Sequence, residues 1–406
     1  MSRNLGTGRD GRVRVVHVIT RMDRGGSAQN TLDTALGLAE KYDTILVHGP
    51  SHESAMTAAQ AREVEDRIQE AEKLGVTRVV VPSLVRAVRP GSDAAALGSL
   101  WRLLRRLSPD ILHTHTSKAG LLGRLAAVAV GTPSVIHTPH GHVFFGHFGP
   151  ATSRVFLEAE RAMDRFTHRL VALTRGEATD YVSLGVAKAE KIRIIHSGVD
   201  VDGFEPAPGA REAARAALGM PCGPRAVGSV GALLAHKGPD LLLAAMGKVW
   251  KTRPETLLVF IGQGPLAKEL SDAARALGAA DRVFFPGWRG DVAAVLPALD
   301  VLAHPARNEG MGRVLVEALA AGLPVAASAV GGIPDIIRPG ETGLLVPPED
   351  SGALAGAILR LLEDRGLADS LAARGPEACR AFSARAMLDA LDALYQDEAR
   401  RIGVLK

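Results

Sequence analysis

Short apolar runs alternate with longer stretches of helical periodicity along most of the chain. Runs rich in Val, Ile and Leu between turn residues predict strands, and apolar residues repeating at three- and four-residue intervals predict the helices between them. In the first half, strands are predicted at residues 13–19, 44–47, 78–81, 110–113, 134–137, 169–172 and 192–195. Helical periodicity is clear at residues 31–40, 56–74 and 98–107. This alternation indicates βαβ units built around a parallel sheet.

The same pattern starts again after a stretch of turn residues between Ser197 and Pro224, which is interrupted by a short predicted helix at residues 211–218. Strands are then predicted at residues 226–230, 256–261, 282–285, 301–304 and 324–327. The tail from Ser351 onward is helical in pattern and rich in Ala, Leu and Arg. We therefore predict an α/β protein with two doubly wound parallel-sheet domains that face each other across a cleft.

Composition narrows the class of protein. A chain of 406 residues suggests about two domains, and 47% apolar with 23% charged residues is an ordinary globular balance. Its two cysteines, Cys222 and Cys379, cannot form a disulfide framework. A net charge of +4 and 4% aromatic residues argue against a nucleic-acid partner. The apolar run at residues 121–130 is too short to span a bilayer, so we expect a cytoplasmic protein.

Candidate chemistry is sought at the carboxyl ends of the predicted strands, where ligands bind in open parallel sheets. Gly25 and Gly26 follow the first strand and precede a helix. The two glycines allow a ligand to approach the backbone, and the helix start favours an anion. Because the spacing is not Gly-x-Gly-x-x-Gly, a dinucleotide pocket is not indicated. A plain strand-to-helix turn explains this motif equally well.

Histidines cluster after two other strands. His140 stands beside Gly141 after the fifth strand, where it could act as a hydrogen-bond donor or a base; the neighbouring histidines are His113, His115, His137, His142 and His147. A metal site is the alternative interpretation. We expect one strand not to supply both His113 and His115 to one ion, because alternate side chains point to opposite faces. No cysteine or close carboxylate completes a ligand set, so His113 and His137 are expected to be structural.

The most informative stretch is residues 308–322, which follow the strand at 301–304. Glu309 precedes a helix predicted to begin near Gly312, whose first N–H groups could hold a diphosphate. Glu317 lies about one turn inside that helix, where its carboxylate could accept hydrogen bonds from two neighbouring ribose hydroxyls. Lys237 in a glycine-flanked loop could neutralise a phosphate. Lysines and helical glutamates are usually only solvated, but two glutamates across a glycine-bracketed helix start are less common by chance.

At these residues the sequence resembles the retaining glycosyltransferases of family 4, which have the GT-B fold and a Glu-x7-Glu signature like Glu309 to Glu317. The resemblance covers nearly the whole chain, in shared order and spacing. Its further motifs are Gly25-Gly26, Lys237-Gly238 and the stretches 109–115, 138–141, 196–200, 262–266, 331–335 and 340–347.

The resemblance implies a division of labour between domains and residues. Residues 1–197 would bind the acceptor, residues 198–380 would bind the nucleotide-sugar, and residues 381–406 would form a helical tail packing back toward the first domain. His140, Glu309 and Lys237 would be the catalytic residues. The donor-binding residues would be Gly25, Gly26, Arg289, Gly310, Met311, Gly312, Arg313, Val314, Leu315 and Glu317.

The same resemblance implies a mechanism without a metal or other cofactor beyond the nucleotide-diphosphate sugar. Lys237 and the helix start would stabilise the leaving diphosphate, and Glu309 and His140 would contact the transferred sugar. Front-face attack would let the leaving phosphate take the acceptor's proton. One departure matters: Ala232 stands where the family often has an arginine for phosphate, and His236 or Arg313 could compensate.

The expected activity is transfer of a hexosyl or N-acetylhexosaminyl group to a glycan or lipid-linked acceptor, in cell-envelope or exopolysaccharide synthesis. Basic residues suggest peripheral contact with an anionic inner membrane face, although the leucine spacing at 100–107 favours ordinary helix packing. These basic residues are Arg86, Arg89, Arg102, Arg105 and Arg106. A nucleotide-sugar epimerase and a non-catalytic nucleotide-sugar-binding protein are the alternative functions.

Overall fold

The computed structural model describes residues 11–51, 56–141, 149–205 and 207–406; His142 and His147 lie outside them. The chain forms two compact units. The first runs to Gly198 and includes Ala384–Lys406, and the second is Val199–Ser383. The predicted domain limits were 197/198 and 380/381, within three residues of these divisions.

The first unit is built on a parallel sheet whose order is β3-β2-β1-β4-β5-β6-β7. Its strands are β1 (Arg14–Arg21), β2 (Asp43–Gly49), β3 (Thr77–Val80), β4 (Ile111–His115), β5 (Ser134–Thr138), β6 (Arg169–Ala172) and β7 (Ile192–Ile194). The central strands are buried along their whole length, as expected for a parallel sheet covered by helices on both faces. Consequently, side chains near their carboxyl ends lie in a dry environment.

The helices of the first unit connect these strands. They are α1 (Gly26–Gly37), α2 (Ala58–Lys73), α3 (Pro90–Leu107), α4 (Ser117–Val130), α5 (Pro150–Asp164) and α6 (Arg175–Ser183). Helix α2 begins with a capping box between Thr57 and Gln60. Helix α1 begins at Gly26, five residues before the predicted start, because Gly25 takes the extended N-cap conformation and the turn after β1 is correspondingly short.

The C-terminal segment, residues 384–406, belongs to the first unit, where its helix covers one face of the sheet. That helix, labelled α15 (Ala384–Arg401), buries Leu391 and Tyr395 against Val15 and Ile111. The hydroxyl of Tyr42 also donates a hydrogen bond to the carboxylate of Asp392, at 2.6 Å. These contacts complete a core that the first 198 residues leave open on this face.

The second unit is built on a parallel sheet whose order is β10-β9-β8-β11-β12-β13. Its strands are β8 (Ala226–Val230), β9 (Leu257–Ile261), β10 (Val283–Gly287), β11 (Val301–His304), β12 (Val325–Ser328) and β13 (Leu344–Val346). Its helices are α7 (Ala210–Ala217), α8 (Pro239–Val249), α9 (Ala267–Ala276), α10 (Val292–Val295), α11 (Arg313–Ala320), α12 (Ile333–Ile336), α13 (Ser351–Glu363) and α14 (Arg365–Ala378). Apolar side chains form a core on each face of the sheet.

All twelve predicted strands are present, but β13 was missed. Its three residues are too few to show a periodicity, and only pairing with β12 defines them as a strand. A second feature that only the tertiary structure shows is a set of ion pairs between Asp300 and the segment that follows the domain seam. The carboxylate of Asp300 binds Arg211, Arg215 and Arg225, and the side chain of Arg215 is fully buried. This network attaches the segment after the domain seam to the start of β11.

Candidate functional site

The carboxylate of Glu309 is the centre of a polar cluster at the carboxyl end of β11 in the second unit. Its Oε2 accepts hydrogen bonds from Lys237 Nζ at 2.5 Å and from His304 Nε2 at 2.8 Å. The side chain of Glu309 is 10% exposed and that of Lys237 is 29% exposed. Both bonds fall on Oε2, so among the described residues Oε1 is the oxygen that remains for a ligand.

Electrostatics keep this carboxylate ionised. Burial alone would raise the pKa of Glu309, but the hydrogen bond from His304 and the charge of Lys237 together lower it from 4.5 to about 2. An ionised Glu309 can only accept hydrogen bonds, which suits it to bind sugar hydroxyls. The structure therefore brings two predicted catalytic residues together in the second unit, Glu309 and Lys237.

Backbone hydrogen bonds and a close backbone contact hold the loops that carry Lys237 and Glu309 against each other. The carbonyl of His236 accepts hydrogen bonds from the amides of Arg307 and Asn308, at 2.8 and 3.3 Å. Gly331 has φ +51°, and a Cβ there would lie 1.8 Å from the carbonyl oxygen of Glu309. Only glycine fits this crossing, which explains a glycine of the family motif at 331–335 in physical terms.

The predicted helix start after Glu309 is present, with α11 beginning at Arg313. Gly312 is its N-cap, with a left-handed φ of +81° and no side-chain cap, so the positive end of the helix and its backbone N–H groups face the loop of Glu309 and Gly310. Met311 and Leu315 are buried in the core and fix the position of this helix start. Val314 is partly buried against the same core.

Two other predicted donor residues lie in the second unit. Glu317 is half-buried one turn inside α11, and desolvation raises its pKa although Arg313 opposes the shift. The guanidinium of Arg289 is bonded to both oxygens of Asp291, at 2.9 and 2.6 Å. The side chain is thus paired within the protein, and contact of the Arg289 backbone with a base stays a prediction.

The cation that replaces the family arginine at Ala232 stays a prediction. Ala232 is exposed in the loop after β8. Arg307, close to Glu309 in sequence, is held by both carboxylate oxygens of Asp240 at 2.8 and 2.7 Å. His236 and Arg313 remain the two candidates.

His140 follows β5 in the first unit and takes a left-handed φ of +60°, uncommon for a residue with a side chain. Its Nε2 lies 2.9 Å from His115 Nδ1, and His115 Nε2 lies 3.1 Å from His17 Nδ1. The expectation that one strand could not readily supply both His113 and His115 to one ion was wrong. His113 and His115 are two positions apart, so they share one face of the strand, and with His17 their ring nitrogens lie within 4.8 Å of one another.

Burial makes these imidazoles hard to protonate. Desolvation lowers the pKa of His17 to about 4 and that of His140 to about 3. His113 has both ring nitrogens bonded, to Tyr395 Oη at 2.6 Å and Thr138 Oγ1 at 2.7 Å, which fits the structural role expected for it. His137 bonds Thr114 through Nδ1, and its Nε2 has no partner among the described residues.

Gly25 and Gly26 form the exposed start of α1, again without a side-chain cap. The amide of Gly25 donates to Asp23 Oδ1 at 2.8 Å, so it already has a partner. Gly26 is therefore the better placed of the two for an anion. The prediction that this pair contacts a diphosphate stays untested.

Sequence reasoning missed two residues that position the predicted catalytic ones. His304 ends β11 and bonds Glu309; a polar residue at the carboxyl end of an otherwise apolar strand was the available signal. Glu177 on α6 accepts hydrogen bonds from the amides of Gly141 and Leu173, at 3.1 and 2.6 Å. It was unrecognisable in the sequence, because α6 and the loop after β5 meet only in the folded unit.

Two parallel α/β units with polar side chains at the strand ends fit the GT-B class, and solved structures show that fold. The structure of Anabaena HepE in complex with UDP and glucose superposes with a TM-score of 0.80 at 21% identity, covering 95% of this chain and 100% of that one. Sucrose-phosphate synthase from Thermosynechococcus elongatus gives 0.78 at 24% identity, covering 95% and 99%. At these identities, the likeness establishes the GT-B fold.

Sequence comparison gives the family. A family model described as Glycosyltransferase Family 4 matches residues 24–202, and one described as Glycosyl transferases group 1 matches residues 210–378. The D-inositol 3-phosphate glycosyltransferase of Actinosynnema mirum is 31% identical over 395 residues, 92% of each chain. The chain belongs to glycosyltransferase family 4. It is a glycosyltransferase, and its membership is consistent with a retaining mechanism.

A second relative has a lipid-linked acceptor in its name. The UDP-Gal:alpha-D-GlcNAc-diphosphoundecaprenol alpha-1,3-galactosyltransferase of Escherichia coli is 30% identical over 290 residues, 71% of this chain and 75% of the relative. Within the described residues, no helix has both the length and the apolar character needed to cross a membrane. The comparisons support neither the epimerase nor the non-catalytic alternative.

Proposed function

We propose that the chain transfers a hexosyl or N-acetylhexosaminyl group, with retention, from a nucleoside-diphosphate sugar to a lipid-linked or glycan acceptor. The observation that carries this proposal is the buried Glu309 carboxylate, held by Lys237 and His304 in front of the uncapped start of α11. Anion-binding groups and a hydroxyl-binding carboxylate stand side by side there. A sugar diphosphate has both kinds of group in the same order.

In the proposed donor complex, the diphosphate binds at the start of α11 and takes Lys237 as its partner in place of Glu309. Lys237 and the helix then stabilise the negative charge that grows on the leaving group, without a metal ion. Glu309 and His140 bind hydroxyls of the transferred sugar, and Glu317 binds those of the ribose. The leaving phosphate accepts the proton of the attacking acceptor hydroxyl on the same face of the sugar.

The E. coli relative supports a diphosphoundecaprenol-linked acceptor, which belongs at a membrane surface. Helix α3 of the first unit supports peripheral contact with such a surface. It buries Leu100, Leu103 and Leu104 in the core, as its periodicity predicts, and exposes three arginines on the other side: Arg102, Arg105 and Arg106. Cosedimentation with phosphatidylglycerol vesicles at low salt tests this part. Replacing the three arginines by glutamate should abolish binding, and binding that is unchanged would contradict it.

The donor site is tested with a panel of UDP-, GDP- and ADP-sugars, measured by thermal shift and by slow hydrolysis. Donors that carry one of the three bases should raise the melting temperature of the protein. Lys237→Ala should lower turnover with that donor by roughly 100-fold or more, as for loss of one charge-stabilising group. The matched control is Lys248→Ala, since Lys248 lies on the exposed side of the second unit, where it bonds Ser351. Near-normal transfer by a folded Lys237→Ala protein would refute the assignment.

Retention is tested separately from donor binding. Proton NMR of the freshly formed product reports the anomeric configuration directly. An α-linked donor should give an α-linked product. A β-linked product from an α-linked donor would exclude front-face attack.

A further inference from the structure

Three imidazoles form a continuous line through the first unit. His17 lies within β1, His115 ends β4, and His140 follows β5; these three strands are neighbours in the sheet. In both contacts the Nδ1 atom of one ring faces the Nε2 atom of the next. His17 Nδ1 lies 3.1 Å from His115 Nε2, and His115 Nδ1 lies 2.9 Å from His140 Nε2. His17 and His115 are buried, and His140 stands at the outer end.

The chemistry of neutral imidazole makes this line directional. A neutral ring has one N–H and one nitrogen lone pair, so His115 donates to one neighbour and accepts from the other. If His17 donates, then His115 donates to His140, and the proton of His140 stays on Nδ1. If His140 donates instead, the order reverses and its Nδ1 keeps the lone pair. Burial lowers the pKa of each of these rings, which keeps them neutral.

The surroundings favour hydrogen bonding over a shared metal ion. A metal held by His17, His113 and His115 would need a free lone pair from each ring. Both nitrogens of His113 already have hydroxyl partners, Tyr395 Oη at 2.6 Å and Thr138 Oγ1 at 2.7 Å. An ion would have to displace these bonds as well as the bond between His17 and His115.

The peptide that carries His140 is held independently of its ring. Gly141, the next residue, has φ +95° and donates its amide hydrogen to the buried carboxylate of Glu177 at 3.1 Å. A left-handed His140 is thus fixed at the backbone by Glu177 and at the ring by His115. Strained residues held this firmly are typical of functional sites.

We propose that His115 and His17 are positioning residues that hold the His140 ring in one orientation and one tautomer, so that its Nδ1 meets the donor sugar with a defined hydrogen-bonding character. This inference rests on the proposed role of His140 at the transferred sugar. His17 and His115 act through His140 and contact no substrate. Through His115, the position of the proton on His140 is coupled to that on His17 before any donor arrives.

The test uses the full chain with ¹⁵N-labelled histidine, because imidazole ¹⁵N shifts distinguish the two neutral tautomers. In the unaltered protein without donor, His140 should show one neutral tautomer at pH 7; its signal is assigned by its loss in His140→Asn. His17→Leu should give a mixture of tautomers at His140. His17→Asn, whose amide reaches the place of Nδ1, should restore one tautomer.

Turnover supplies the second readout. His17→Leu should lower kcat by roughly five- to tenfold, the usual effect of one lost hydrogen bond, with little change in the donor KM. His17→Asn should recover most of it. The control is His137→Asn, a change to another buried histidine that also bonds through Nδ1 but stands outside this chain.

Three results would overturn the inference. They are a tautomer mixture at His140 in the unaltered protein, equal losses of kcat in His17→Asn and His17→Leu, and stoichiometric zinc that is lost from His17→Leu. The spectra need no donor, so a protein with the single tautomer that transfers no sugar refutes the proposed function and leaves the histidine chain intact.

Discussion

The lowered pKa of Glu309 makes a quantitative prediction about stability and pH. Its folded-state pKa of about 2 lies below the ordinary value of 4.5, so ionisation of Glu309 stabilises the second unit above pH 4.5, and this stabilisation is lost as pH falls toward 2. A shift of about 2.5 units at about 1.4 kcal/mol per unit is about 3 kcal/mol in total. About 2 kcal/mol of it should disappear between pH 6 and pH 3.

Glu309→Gln removes this titration and keeps a side chain of the same size. The assay is urea unfolding at several pH values in a Trp101→Phe background, in which the remaining tryptophans, Trp250 and Trp288, report on the second unit. The unfolding free energy of the parent should fall between pH 6 and pH 3 by about 2 kcal/mol more than that of Glu309→Gln. Glu363→Gln is the matched control, because Glu363 is an exposed glutamate of the same unit whose ion pair is long.

Equal pH slopes for the parent and Glu309→Gln would refute the reasoning. They would mean that Lys237 and His304 do not hold the carboxylate in the folded protein. A slope altered equally by Glu363→Gln would show that the effect is a general consequence of removing a carboxylate.

Three further predictions concern the second unit. His304→Leu should lower kcat about tenfold, and His304→Gln, which keeps an N–H donor, should lower it less; steady-state transfer assays compare them. Asp300→Asn should lower the unfolding free energy by about 3 kcal/mol in urea, because it leaves the fully buried guanidinium beside it without a counter-charge, whereas the exposed Asp281→Asn should have little effect. Gly331→Ala should lower the melting temperature far more than Gly340→Ala. Both have positive φ, but only the first would drive a Cβ into the carbonyl of Glu309.

Much of the fold was predictable because parallel strands buried on both faces appear as apolar runs in any context. Every predicted strand is present, including short ones such as β11. The hydrophobic pattern was less informative for secondary-structure elements that form only beside another element. Three residues become strand β13 only beside β12, and α1 begins at Gly26 directly after the extended Gly25.

The candidate site divides in the same way. Glu309, Glu317 and the glycines around them could be found because one segment carries all of them in a fixed spacing. The direct contact between Lys237 and Glu309 could not, since the two residues are 72 apart in the sequence and their contact depends on the order of β8 and β11 in the sheet. The alignment of His17 with His115 depends likewise on β1 pairing with β4.

The sequence by itself determined the two α/β domains, the helix start that follows Glu309 and the membership of glycosyltransferase family 4, because each is written in local periodicity or in fixed spacing. Tertiary structure alone decided that Lys237 and His304 share one carboxylate oxygen, that Glu177 holds the loop of His140, and that three histidines line up behind it. These contacts join residues on separate strands and loops. Strand order and register, together with the packing of loops and helices on the sheet, bring such residues within hydrogen-bonding distance.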